Sequence, residues 1–104
     1  MDWNKQENKE LVKAFLTLKT ANETERFLRD LMTEKEIEEF ANRLKAAEML
    51  SEKISYSKIA EATWLSSTTI ARVSKWLNGK EGGYKTIIAR LHHHNPAKLG
   101  RGLS

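Results

Sequence analysis

No cysteine occurs in the chain, so disulfide staples, thiolate metal ligands and cysteine nucleophiles are excluded. Helix breakers are nearly as scarce. The one proline and all five glycines stand at or after Gly79, which leaves the first three quarters without a residue that interrupts helix. No apolar run approaches the ~20 residues of a membrane span, and the opening MDWNKQENKE is too polar for a secretory leader. A soluble, cytoplasmic protein with no membrane partner is therefore expected. Strand-like alternation and internal repeats are missing too. Nor does the chain offer a Ser–His–Asp set, a glycine-rich phosphate loop or a convincing acid pair, so no enzymatic activity is expected. What is present is charge. Of the 104 residues 31% are charged and 39% hydrophobic, which suits helices with narrow apolar stripes and broad solvated faces.

That charge is unevenly placed. Residues 1–53 carry 10 Lys+Arg against 12 Asp+Glu, a balance of −2, whereas residues 54–104 carry 8 against 2, a balance of +6. Such asymmetry points the C-terminal half toward a polyanion, nucleic acid being the commonest.

Apolar spacing predicts about six helices. In the first, from about Lys5 to Leu18, Leu11, Ala14, Phe15 and Leu18 share a face. Trp3, Val12 and Leu16 widen that stripe beyond what one small partner helix covers, which points to burial in a subunit interface. A second helix opens near Thr20–Asn22, where either Thr20 with Glu23 or Asn22 with Glu25 can form a capping box, and it buries Phe27, Leu28 and Leu31. Thr33 with Glu36 is a cleaner box, with Leu31 or Met32 packing on Ile37 as a staple. It opens a long helix to about Ser51 with a stripe of Ile37, Phe40, Leu44, Ala47 and Leu50, Ala41 beside it. Ser55 or Ser57 caps a short helix ending near Ala62–Thr63. Ser66 or Ser67 caps the next, Thr68 to about Asn78, with Gly79 placed for the left-handed C′ position. A last helix from Tyr84 to about His93 presents Tyr84, Ile87, Ile88 and Leu91, and residues 95–104 form a disordered tail. His92-His93-His94 invites a metal reading. Consecutive helical residues point ~100° apart and do not converge on one ion, so no metal is expected.

The stretch from Ser55 to Leu77 has the pattern of a helix-turn-helix. Counted from Tyr56, Ile59 and Ala60 fall at the fourth and fifth positions, Leu65 at the tenth, Ile70 at the fifteenth and Val73 at the eighteenth, all core sites. Ser66, Ser67, Thr68, Ala71, Arg72 and Lys75 remain for the outward face. Their hydroxyls can bond phosphates or base edges, the Ala71 methyl can meet a thymine methyl, and Arg72 and Lys75 supply charge. Tyr56, Ser57 and Lys58 begin the first helix, where backbone contacts are usual. One position departs from the pattern. The ninth, ordinarily glycine with positive φ, is Trp64, so either the turn is remodelled or burial of the indole offsets a cost of roughly 1 kcal/mol or more.

LMTEKEIEEFANRLKAAEML followed by SYSKIAEATWLSSTTIARVSKWL resembles the Trp repressor superfamily, specifically its TrpR-related YerC/YecD branch. The resemblance spans about Leu11 to His94 and is carried by the Leu-Met-Thr-Glu cap, the Asn42-Arg43-Leu44 step, Ser-x-x-x-Ile-Ala and Thr-Thr-Ile-Ala-Arg-Val. It implies an all-α, intertwined homodimer whose N-terminal helices build a shared core and whose recognition helices lie one DNA turn, ~34–36 Å, apart. It also implies a tryptophan pocket built from a threonine, an arginine and Thr-x-x-Arg-Gly, matched here by Thr33, Arg43, Thr69 and Arg72. Val73 replaces the glycine that makes room for the indole, so no tryptophan corepressor, and no other cofactor, is expected.

The expectation is thus one helical domain over residues 1–94, with the helix-turn-helix at about 55–78. It would be a homodimeric, sequence-specific reader of double-stranded DNA that regulates transcription, most simply as a repressor. The alternative is a helical protein-interaction adaptor with a degenerate motif.

Overall fold

The computed structural model describes residues 1–93, which form six helices and, among those residues, no strand. The helices are α1 (Gln6–Leu16), α2 (Ala21–Leu31), α3 (Glu34–Ser51), α4 (Tyr56–Thr63), α5 (Ser67–Leu77) and α6 (Gly83–His93). The tail expected at 95–104 lies outside the described residues. The chain divides into two compact units, Met1–Ile37 and the remainder from Glu38 onward.

In the first unit the caps are polar and local. Thr20 caps α2 by accepting from the Glu23 N–H at 3.1 Å, so the earlier of the two possible starts is used. The Glu23 carboxylate reaches back one residue further than a capping box requires, to the Lys19 N–H at 3.0 Å. At the start of α3 the box is reciprocal: Thr33 Oγ1 accepts from the Glu36 N–H (3.1 Å) and Glu36 Oε1 accepts from the Thr33 N–H (2.9 Å). A cap of this kind is worth about 1 kcal/mol. Phe15 and Phe27 meet edge to face with ring centroids 5.4 Å apart. Neither α1 nor α2 contains a buried residue.

The second unit holds the core: Ala46 and Ala47 of α3, Ile59 of α4, Ile70, Val73 and Leu77 of α5, and Ile88 of α6. The α3 stripe keeps Ala47 as expected, adds Ala46 and loses Phe40. Ala46 and Ala47 are buried, while Phe40 is exposed and Leu44 and Leu50 are half-buried at the rim. The α3 share of the core is thus two methyl groups, with Leu44, Met49 and Leu50 packed against its edge.

Helix α3 ends at Ser51, as expected, while the end of α5 differs from expectation. Beyond α3 the chain closes with Lys53 in the left-handed region (φ 65°). The Lys53 N–H donates to Leu50 O at 3.0 Å and the Ile54 N–H to Met49 O at 3.1 Å, the pairing of a Schellman motif without glycine. After α5 the left-handed glycine is Gly82 (φ 69°) and not Gly79. Gly79 answers a steric demand instead, since a Cβ there would stand 3.2 Å from Lys75 O.

Candidate nucleic-acid interface

The interface begins with how α4 and α5 are joined. Ser55 caps α4, its hydroxyl accepting from the Lys58 N–H at 3.3 Å. Ile59 is wholly buried, and four residues on Thr63 is buried as well. A buried hydroxyl needs partners, and Thr63 Oγ1 has two. It donates to Ile59 O at 2.8 Å and accepts from the Leu65 N–H at 3.3 Å. That second bond spans the turn and ties the first residue beyond it back to α4. A threonine near a helix end has no sequence pattern of its own, so nothing marked Thr63 beforehand.

Between the two bonded residues stands Trp64, with φ 62° and ψ 12°. The turn keeps the left-handed geometry that glycine ordinarily serves, and the indole is 91% exposed. Neither expected remedy is used: the turn is not remodelled and the indole is not buried. The backbone cost of about 1–2 kcal/mol is carried by the surrounding bonds, including the Trp64 N–H to Ala60 O at 2.9 Å.

Ser66 then caps α5. Its hydroxyl accepts from the Thr69 N–H at 3.1 Å and donates to Thr69 Oγ1 at 3.0 Å, so it is committed to the helix start. Along α5 the buried Ile70, Val73 and Leu77 define the inner face. Ser67, Thr68, Ala71, Arg72 and Lys75 are all exposed on the outer one, and so are Tyr56, Ser57 and Lys58 at the start of α4. From Ala62 to Lys80 there is no carboxylate, against the three cations Arg72, Lys75 and Lys80. This arrangement presents short hydroxyls, a methyl and two cations on a rigid helix with a polar N-terminal end, which is the chemistry needed to meet phosphates and base edges.

A family model described as Trp repressor protein matches residues 6–92. The chain belongs to the Trp repressor family. Among its relatives is the uncharacterised YerC protein of Bacillus subtilis (strain 168), 39% identical over 82 residues that cover 79% of each chain. A TrpR-like protein from Eubacterium eligens ATCC 27750 superposes with a TM-score of 0.80 at 38% identity, over 86% of this chain and 92% of that one. A candidate Trp repressor from Staphylococcus aureus gives a TM-score of 0.80 at 32% identity, over 88% and 95%. These similarities place the chain in the YerC-related branch of a regulatory family.

Of the four residues that match the tryptophan pocket of the Trp repressor family, three have other engagements here. Thr33 belongs to the first unit, where it caps α3. In the second unit Arg43 is paired with Glu39 at 2.6 Å, and its guanidinium lies 5.8 Å from the ring centroids of both Phe40 and Trp76. Thr69 accepts the Ser66 hydroxyl proton, while Arg72 stands exposed on the outer face of α5. Val73 is 0% exposed and forms part of the core.

Beside this set an open apolar hollow of about 640 Å³ is lined by Leu44, Trp76, Tyr84 and Ile87 among others. Burial pushes the Tyr84 phenol up, with Arg43 opposing part of that shift. His92 lies 3.7 Å from the Glu48 carboxylate, and no cluster of potential metal ligands occurs among the described residues. His94 lies outside them.

Proposed function

We propose that this protein is a sequence-specific DNA-binding transcriptional regulator. It works as a homodimer in the cytoplasm through α4 and α5, and it represses by occluding promoter DNA. The observation that carries this reading is the two-sided character of α5. Its apolar residues are buried, and Ser67, Thr68, Ala71, Arg72 and Lys75 form an exposed face with no carboxylate on the same helix. Homodimerisation is supported by α1, which carries Leu11, Val12, Phe15 and Leu16 and buries none of them within its own chain. The relatives named for the Trp repressor support the regulatory sense.

Replacing Arg72 and Lys75 together by alanine is expected to weaken binding to a selected genomic fragment by one to two orders of magnitude. The slope of log K against log salt should flatten by roughly 2, about one for each lost phosphate contact. An affinity and slope equal to wild type would overturn the reading.

Regulation by tryptophan is not part of the proposal. The buried, branched Val73 occupies the position where the tryptophan-binding members keep glycine, and Arg43 is held by Glu39. Titration calorimetry is expected to give no heat with L-tryptophan, and micromolar binding would contradict this. The second reading, a protein-interaction adaptor, is favoured by the exposed indole of Trp64. Gel shifts against genomic fragments at two salt concentrations separate the two, because an adaptor would show no sequence preference.

A further inference from the structure

Trp64 combines two features that folding alone does not account for. Its backbone is left-handed (φ 62°), a conformation in which a bulky L-residue is strained. Its side chain is 91% exposed, so packing within the chain returns almost nothing for that strain. Strain of this sort persists where the surrounding structure enforces it, and such sites cluster at ligand contacts. Here the enforcing bonds are on either side of the residue, Trp64 N–H to Ala60 O and Leu65 N–H to Thr63 Oγ1.

Position and chemistry indicate what the indole meets. Trp64 stands two residues before Ser66, the cap of α5. When the N-terminal end of a recognition helix enters the major groove, the turn ahead of it faces the sugar–phosphate wall of that groove. An indole has one N–H donor and no acceptor, and phosphate oxygens accept and never donate. Its apolar face suits the edge of a deoxyribose. The neighbouring sequence carries no carboxylate from Ala62 to Lys80, which favours an anionic partner over a neutral or basic one.

We infer that Trp64 is a DNA-contacting residue whose indole packs on the sugar–phosphate backbone at the groove edge, with Nε1–H donating to a phosphate oxygen. This rests on the reading of α4 and α5 as the DNA-binding unit. Such a contact fixes register and orientation without reading sequence. Because the indole is neutral, it contributes affinity without releasing a counterion, unlike Arg72 or Lys75.

The test compares wild type, Trp64→Gly, Trp64→Phe and the double variant Arg72→Ala/Lys75→Ala on one selected genomic fragment and one unrelated fragment. Trp64→Gly is expected to raise Tm by several degrees, because glycine accepts the left-handed backbone. The same variant is expected to lose about tenfold in affinity for both fragments, with the salt slope unchanged. Trp64→Phe should keep Tm near wild type and lose a smaller factor. It should also reduce the change in intrinsic fluorescence that DNA produces in wild type, leaving the part due to Trp3 and Trp76. Trp64→Gly binding within twofold of wild type, while the Arg72/Lys75 variant is weakened, would overturn this inference and leave the DNA reading standing. A fall in Tm, a fluorescence response as large in Trp64→Phe as in wild type, or a changed oligomeric mass in Trp64→Gly would each assign the indole to packing or to a protein interface, and so overturn it too. Wild type that binds neither fragment would overturn the DNA reading, and this inference with it.

Discussion

Helices α1 and α5 have the same length, 11 residues, and both carry several large apolar side chains. Their fates differ. Helix α5 buries Ile70, Val73 and Leu77 against neighbours from its own unit, and it contacts both α4 and α6. Helix α1 buries nothing, and Leu16 is left 80% exposed. Apolar content therefore says how much burial a helix needs, and only the surrounding chain decides whether it is met. The helix-turn-helix buries its apolar residues within its own unit, whereas the first unit leaves Leu11, Val12, Phe15 and Leu16 exposed.

Three substitutions probe that contrast, beginning with the largest effect. Ile70→Ala should lower the free energy of unfolding by about 2–5 kcal/mol, because it opens a cavity in a core that cannot collapse freely. Denaturant titration should show the same loss at every protein concentration. Phe15→Ala should cost about 1–3 kcal/mol, in line with the apolar area a second copy would cover. Its signature is a dependence on concentration, seen as a sedimentation shift toward the monomer. If the variant matches wild type in mass and stability, the first unit's apolar side chains serve no interface and the contrast breaks. Thr63→Val keeps the shape but strands the Leu65 N–H, for about 1–2 kcal/mol. A matching drop in Tm would show that the turn depends on that hydroxyl, and no change would mean that backbone bonds alone hold it.

Much of this arrangement was legible in the residues. Thr33 and Glu36 are read as a reciprocal cap because both partners and their spacing are specific, and the bonds form as the spacing requires. Ile59, Ile70 and Val73 are read as core from their positions in the motif, and all three are buried. Phe40 fails the same reasoning. Periodicity fixes a stripe to within about one residue: Ala47 is buried as read, its neighbour Ala46 is buried with it, and Phe40 is left outside. Gly79 fails for another reason. A glycine after a helix answers either a positive φ or a close approach, and sequence does not separate the two. Thr63 and Lys53 had no local signal. Their roles depend on which backbone groups the turns bring within reach, a tertiary matter. The outer face of α5 follows directly once the inner face is known, since the residues between core positions have nowhere else to point.

The left-handed turn at Trp64 also has a genetic side. Tryptophan has a single codon, TGG, and one base change turns it into the glycine codon GGG. The most direct relief of the backbone strain in this helix-turn-helix therefore lies one point mutation away. On the role inferred for Trp64, that single change would trade DNA affinity for heat tolerance.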